Sequence, residues 1–237
     1  MRIRVKFTKS GSMKYIGHLD VMRYFQKAIR RAGLDAAFSA GFSPHMLMTF
    51  AAPLGVGITS SGEYFDVDLN TVPDCDEFIR LMNEQMTPGF SVVSACRVPD
   101  QKKDNCMSLV AAADYIVCPA SRRAEEVLPG DLSGEISDFM AQDHIVIMKK
   151  TKRNLQETDI RSWILDFRQC PGNEGFFMKI SAGSIHNLKP EQLMAAFCER
   201  FGTEVGRDDL RIRRCEIYAL QEHTGMLVPL GDLGEAF

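Results

Sequence analysis

The chain has little tryptophan, no closely spaced cysteines and no long apolar run. Trp163 is the only tryptophan, and Cys75, Cys96, Cys106, Cys118, Cys170, Cys198 and Cys215 include no C-x-x-C pair. Zinc ribbons and clusters held by neighbouring thiolates are thereby disfavoured. Scattered thiols beside apolar neighbours, such as Val117-Cys118 and Phe197-Cys198, read as small buried hydrophobes kept reduced. No uninterrupted apolar stretch approaches the roughly 18 residues of a membrane span. The first residues, Arg2 to Phe7, alternate charged with apolar side chains, which is a strand pattern and not that of a signal peptide. The expected location is the cytoplasm, with no membrane partner. A P-loop is missing. Gly55-Val56-Gly57 is too short for a dinucleotide fingerprint, and Ser60 and Ser61 lack the setting of a nucleophile elbow.

What is present is an ordinary globular composition, 237 residues with 45% hydrophobic and 25% charged side chains. The formal net charge of −3 conceals a segregation. Residues 1–50 hold nine Lys and Arg against two acids, and residues 51–100 hold eight acids against Arg80 and Arg97. Such a division either builds a basic face or is consumed by pairing within one domain.

Periodicity gives an order of elements. Ile3, Val5 and Phe7 share one face of a first strand, and Leu19, Met22, Phe25 and Ile29 have helical spacing over His18–Ala32. Strands follow at Met46–Phe50 and Glu63–Leu69, then a helix capped by Asp74 and a strand over Phe90–Arg97. This is the β-α-β-β-α-β order of a ferredoxin-like unit. Residues 99–110 read as a polar linker. Beyond it, strands at Ala113–Cys118, His144–Lys149, Ile164–Phe167, Phe176–Ile180 and Arg211–Ala219 accompany helices at Leu132–Ala141 and Pro190–Phe201. A parity shift near Arg213-Arg214 suggests a bulge. The expected fold is α+β, two tandem ferredoxin-like units with antiparallel sheets, over residues 1–100 and 108–237; a single larger α+β domain is the alternative.

The stretch from Phe38 to Tyr64 concentrates glycine, proline, hydroxyl and titratable side chains beyond what a turn requires. It reads as a shaped binding loop, with Ser39, Gly41, Phe42, Pro44, His45, Ser60 and Ser61 as contact residues. His18, Asp20, His45 and Glu63 are the acid–base candidates, provided the strands bring them together. The alternative is that Asp20 and Glu63 serve only as local hydrogen-bonding groups. Arg23, Lys27, Arg30 and Arg31 form a cationic stripe on the first helix, and Lys150, Lys152 and Arg153 a second basic cluster. Phosphates are the natural partners of such stripes, although a charged helix face is commonly just solvated. The R-G-F-G-F-V-x-F strand of RNA recognition motifs is missing, so RNA contacts would run through backbone and loops. Trp163 is read as core packing.

Six segments fall in order: Phe7-Thr8-Lys9-Ser10-Gly11, Tyr15-Ile16-Gly17-His18-Leu19-Asp20, Ala28-Ile29-Arg30-Arg31-Ala32-Gly33-Leu34, Gly41-Phe42-Ser43-Pro44-His45, Phe50-Ala51-Ala52-Pro53-Leu54 and Gly57-Ile58-Thr59-Ser60-Ser61-Gly62-Glu63-Tyr64. Together they resemble the radical-SAM-linked family, a domain of unknown function encoded beside or fused to radical SAM proteins. The resemblance implies an accessory or substrate-binding protein working with a radical SAM enzyme in RNA- or ribosome-related modification. No cofactor is expected in this chain; the iron–sulfur cluster and S-adenosylmethionine are expected only in the partner. The alternative is an enzyme using His45 and Glu63 for acid–base chemistry on RNA or a small molecule.

Overall fold

Period-two alternation makes Arg2–Lys9 a strand, β1, whose inward positions Ile3, Val5 and Phe7 continue in phase to a buried Lys9. The computed structural model describes all residues except Pro129, residues 151–154, Glu174 and Glu222, and gives the backbone alone at Lys102, Lys150 and Asn173. Helix α1 (His18–Arg31) buries Val21, Phe25, Ala28 and Ile29, an i, i+4, i+7, i+8 stripe. Leu19, expected on that face, lies outside it and is exposed. Gly33, at φ 70°, ends the helix in the left-handed region open to glycine.

β2 (Met48–Phe50) and β3 (Thr59–Asp68) follow. In α2 (Cys75–Glu84) the Asp74 carboxylate accepts the Glu77 N–H at 3.0 Å, the cap expected from sequence. β4 (Phe90–Val98) precedes α3 (Cys106–Leu109), a short helix inside the stretch read as linker. Then come β5 (Val110–Pro119), α4 (Arg122–Val127), α5 (Ser133–Met140), β6 (Val146–Lys150), β7 (Leu155–Asp159), β8 (Ile164–Gln169), β9 (Phe176–Ser181), α6 (Pro190–Glu199), β10 (Leu210–Leu220) and β11 (Leu227–Pro229). The architecture is mixed, with mostly antiparallel strand pairing, and is compatible with the α+β class. Among the described residues no helix is long and apolar enough to cross a membrane.

Two compact units divide the chain, Met1–Ala112 with Arg214–Phe237, and Ala113–Arg213. In the first, β1 lies between β4 and β3 and is antiparallel to both, while β2, β10 and β3 are joined by β3 pairing with each of the other two. Its core is aromatic: Phe7 and Phe25 have ring centroids 4.5 Å apart, and Phe25 and Phe65 5.0 Å. In the second unit β9 sits between β5 and β8, and β6 and β7 form a separate antiparallel pair. There Phe139, Phe167 and Phe176 surround Phe197.

The charge segregation is consumed in part within the first unit, by the basic residues of β1. Arg2 pairs with Asp68 and Arg4 with Asp66, each pair facing across the β1–β3 register, and Lys6 pairs with Glu216. Arg4 and Asp66 are buried, and Asp66 also accepts the Cys106 N–H at 2.7 Å, which orders the start of α3. Among residues 1–50 the Lys and Arg side chains left exposed are those of α1.

Candidate functional site

The polar centre of the first unit is built on β1, β3 and β10. Glu63, 4% exposed, points inward from β3 and accepts two hydrogen bonds from Arg214, Nε to Oε1 at 2.7 Å and Nη2 to Oε2. Nη2 also donates to the Ala52 carbonyl at 3.3 Å, tying the loop before β3 to the pair. β3 and β10 approach closely here: Ser60 Oγ donates to the Arg214 carbonyl at 3.0 Å, and a Cβ on Gly62 would stand 2.4 Å from the Cys215 carbonyl oxygen. Only glycine fits at that crossing.

Lys9 and His18 complete the cluster. Lys9, 1% exposed, donates from Nζ to the Ile16 carbonyl at 2.9 Å, holding the turn that leads into α1. Burial pushes its ammonium pKa down; Glu63 opposes this and Arg214 adds to it. His18, the first residue of α1, stands edge-on to Phe50 with centroids 5.5 Å apart. Burial also lowers its pKa, against a pull from Glu63 and with help from Arg214 and Lys9. Its imidazole is therefore neutral at neutral pH. Lys9, His18 and Glu63 share a cavity of about 10 Å³ with Phe7, Val21, Phe50 and Leu54, room for about one water. A neutral imidazole, an ammonium with donors to spare and a clamped carboxylate can orient that water or the polar tip of a small group.

The four acid–base candidates do not meet in one pocket. His18 and Glu63 do, whereas Asp20 is exposed on α1, its carboxylate 3.4 Å from Arg23. His45 lines a different depression of about 160 Å³ with Arg2, Met48, Asp66 and Asp68. Its N–H donates to Ser39 Oγ at 3.1 Å, and Nδ1 lies 2.8 Å from the same hydroxyl. The expected partnership of His45 with Glu63 is not formed, because the Ser39 contacts close the loop locally and Arg214 occupies both Glu63 oxygens. Ser60 and Ser61 are likewise committed, to the Arg214 and Cys215 carbonyls, so Ser60 is a buried tie and not a contact surface.

The loop itself is exposed. Ser39 N–H donates to the His45 carbonyl at 2.9 Å, pinching the segment that carries Gly41, Phe42 and Pro44. Gly41 has φ 108°, a conformation that side-chain-bearing residues rarely adopt. Phe42 is fully exposed. Arg23, Lys27, Arg30 and Arg31 are all exposed on α1. The Arg30 guanidinium lies 5.8 Å from the Phe38 ring and Arg31 donates to the Gln85 carbonyl at 3.1 Å.

In the second unit, Lys149 lies 4.5 Å over Trp163 and donates to the Asn187 carbonyl, while His186 stacks on the same indole. Lys150 belongs to β6, and Lys152 and Arg153 lie outside the described residues. Among the described residues no three His, Cys, Asp or Glu side chains gather as a metal ion would require.

Sequence reasoning missed Lys9 and Arg214 as members of the cluster. A signal existed for both. Lys9 continues the inward phase of Ile3, Val5 and Phe7, and Arg214 keeps the inward phase of its strand before the shift at Cys215-Glu216.

One family model matches residues 2–190, that of an uncharacterized protein conserved in bacteria, DUF2344. No curated protein matches the chain.

Proposed function

The chain belongs to this conserved bacterial family, DUF2344, and on that premise we propose that it is an accessory, substrate-binding protein whose first unit holds RNA. It works in the cytoplasm with a radical SAM enzyme in RNA- or ribosome-related modification. The partner supplies the iron–sulfur cluster and S-adenosylmethionine. The partner assignment rests on the six N-terminal segments that resemble radical-SAM-linked proteins. We read both units as ferredoxin-like; the antiparallel pairing of β1 with β3 and β4, and of β2 with β3, supports this for the first.

One observation carries the RNA reading. A fully exposed Phe42 tops a loop whose base, at Phe38, is joined by Arg30 to a helix face bearing three more exposed cations. An aromatic ring beside cations gives a stacking surface for an unpaired base together with contacts for phosphates. Filter binding to tRNA and rRNA fragments at two salt concentrations tests it. Saturable binding that weakens with salt supports the reading, and no binding at either salt overturns it.

A second reading is enzymatic, and the Lys9–His18–Glu63–Arg214 cluster favours it. His18, not His45, is then the acid–base group. His18→Gln would abolish activity on the bound substrate while leaving RNA affinity intact.

A further inference from the structure

The second unit contains a groove of about 960 Å³, at the upper end of the roughly 300–1,000 Å³ common to ligand pockets. Val146, Ile147 and Met148 of β6 all line it. Successive side chains of a strand point to opposite faces, so three in a row bring the edge of β6, and not only one face, onto the groove. Among the described residues β6 pairs with β7 alone.

The phase of that ladder is set next to it. Ile160 N–H donates to the Ile145 carbonyl at 2.7 Å, which makes those two a hydrogen-bonded pair. In an antiparallel ladder such pairs alternate, so the facing pairs Val146–Asp159 and Met148–Glu157 are non-hydrogen-bonded. The backbone N–H and C=O of Val146 and Met148 therefore point away from β7. The two residues are 53% and 57% exposed. An open strand edge carrying bulky exposed apolar side chains is a template for pairing with another chain, and soluble proteins ordinarily cover one.

The rest of the lining indicates what covers it. Ala195 and Ala196 of α6 leave space beside the strand, and the charged side chains include Glu157, Glu199 and Asp209 against Arg123. Arg123 Nη2 is committed to the Glu204 carbonyl at 2.7 Å. Glu157 and Glu199 are exposed and have no salt-bridge partner among the described residues.

We propose that β6 takes up an extended, basic segment of a partner protein by strand addition. The segment's backbone pairs with Val146 and Met148, and its lysine or arginine side chains meet Glu157 and Glu199. This mode draws affinity from main-chain hydrogen bonds and specificity from alternate side chains. It is independent of the RNA role of the first unit.

The test uses the full chain and two fluorescein-labelled heptapeptides, one alternating Lys with Val and one alternating Glu with Val. Fluorescence anisotropy should show saturable binding of the basic peptide and none of the acidic one. Met148→Pro removes an outward N–H without touching the β7 ladder, and should weaken binding about tenfold, the worth of one or two hydrogen bonds. Glu157→Gln with Glu199→Gln, both surface changes, should lower affinity and flatten its salt dependence even if the proline variant folds poorly. Equal binding of both peptides, no saturable binding, or binding indifferent to the glutamine pair would overturn the proposal. So would self-association of the protein alone that Met148→Pro abolishes, since the occupant would then be a second copy.

Discussion

Arg214 holds Glu63 with two parallel hydrogen bonds inside the first unit, and each of the two side chains is about 5% exposed. A carboxylate this buried depends on its guanidinium. Arg214→Met should therefore cost about 3–5 kcal/mol, because it strands a charge away from water. Replacing both partners, Glu63→Leu with Arg214→Met, should cost less than the single change. Urea denaturation of the three proteins checks the order.

Gly62 gives a second stability test of the same crossing. Gly62→Ala forces a Cβ against the Cys215 carbonyl and should cost about 1–3 kcal/mol. Gly134→Ala, in α5 with nothing within 4 Å of the new methyl, should be neutral or stabilising by up to about 1 kcal/mol. Thermal melts of the two variants should move in different directions or differ clearly in size.

Histidine titrations should separate the two units. Burial lowers the pKa of His18 below its ordinary 6.5, whereas the Asp159 carboxylate, 2.7 Å away, raises that of His144. A lowered histidine pKa means the unfolded chain binds the proton more readily. The contribution of His18 is thus full above pH 6.5 and lost as pH falls towards its folded value. That of His144 has the other sign: it is full below 6.5 and lost as pH rises through the raised value. NMR titration should place the two imidazoles on either side of 6.5. A His18 titrating above His144 would contradict the geometry.

These tests bear on a site only partly legible in the sequence. Period-two alternation reveals β1 and the Asp74 carboxylate reveals the start of α2, since both are local patterns. Grouping His18, Asp20, His45 and Glu63 depended on loop geometry that no local pattern encodes. Ser39 draws His45 aside, and Glu63 finds its partner 151 positions away at Arg214. Phe25 and Ile29 are buried and Met22 packs against the core, as their spacing predicts; only Leu19 departs from the stripe, because Leu19 and Val21 are both apolar and packing alone selects between them. α4 and β7 left weak traces for another reason: α4 buries only Ala124, and Leu155–Asp159 is almost wholly exposed.

Phe42 should behave as a surface contact. Phe42→Ser should change stability by no more than about 0.5 kcal/mol, as expected away from packed features. It should still weaken RNA binding, because the ring is the exposed stacking surface of the loop. Equilibrium unfolding and filter binding on one preparation separate the two effects.

The salt dependence of RNA affinity tests the central claim most directly. Log affinity should fall linearly with log salt for the wild-type chain. In the variant with Arg23, Lys27, Arg30 and Arg31 replaced by glutamine, the slope should be shallower by roughly 0.7 for each lost contact to a single-stranded phosphate. A variant that folds normally and keeps the wild-type slope would contradict the assignment of α1 as the RNA-facing helix.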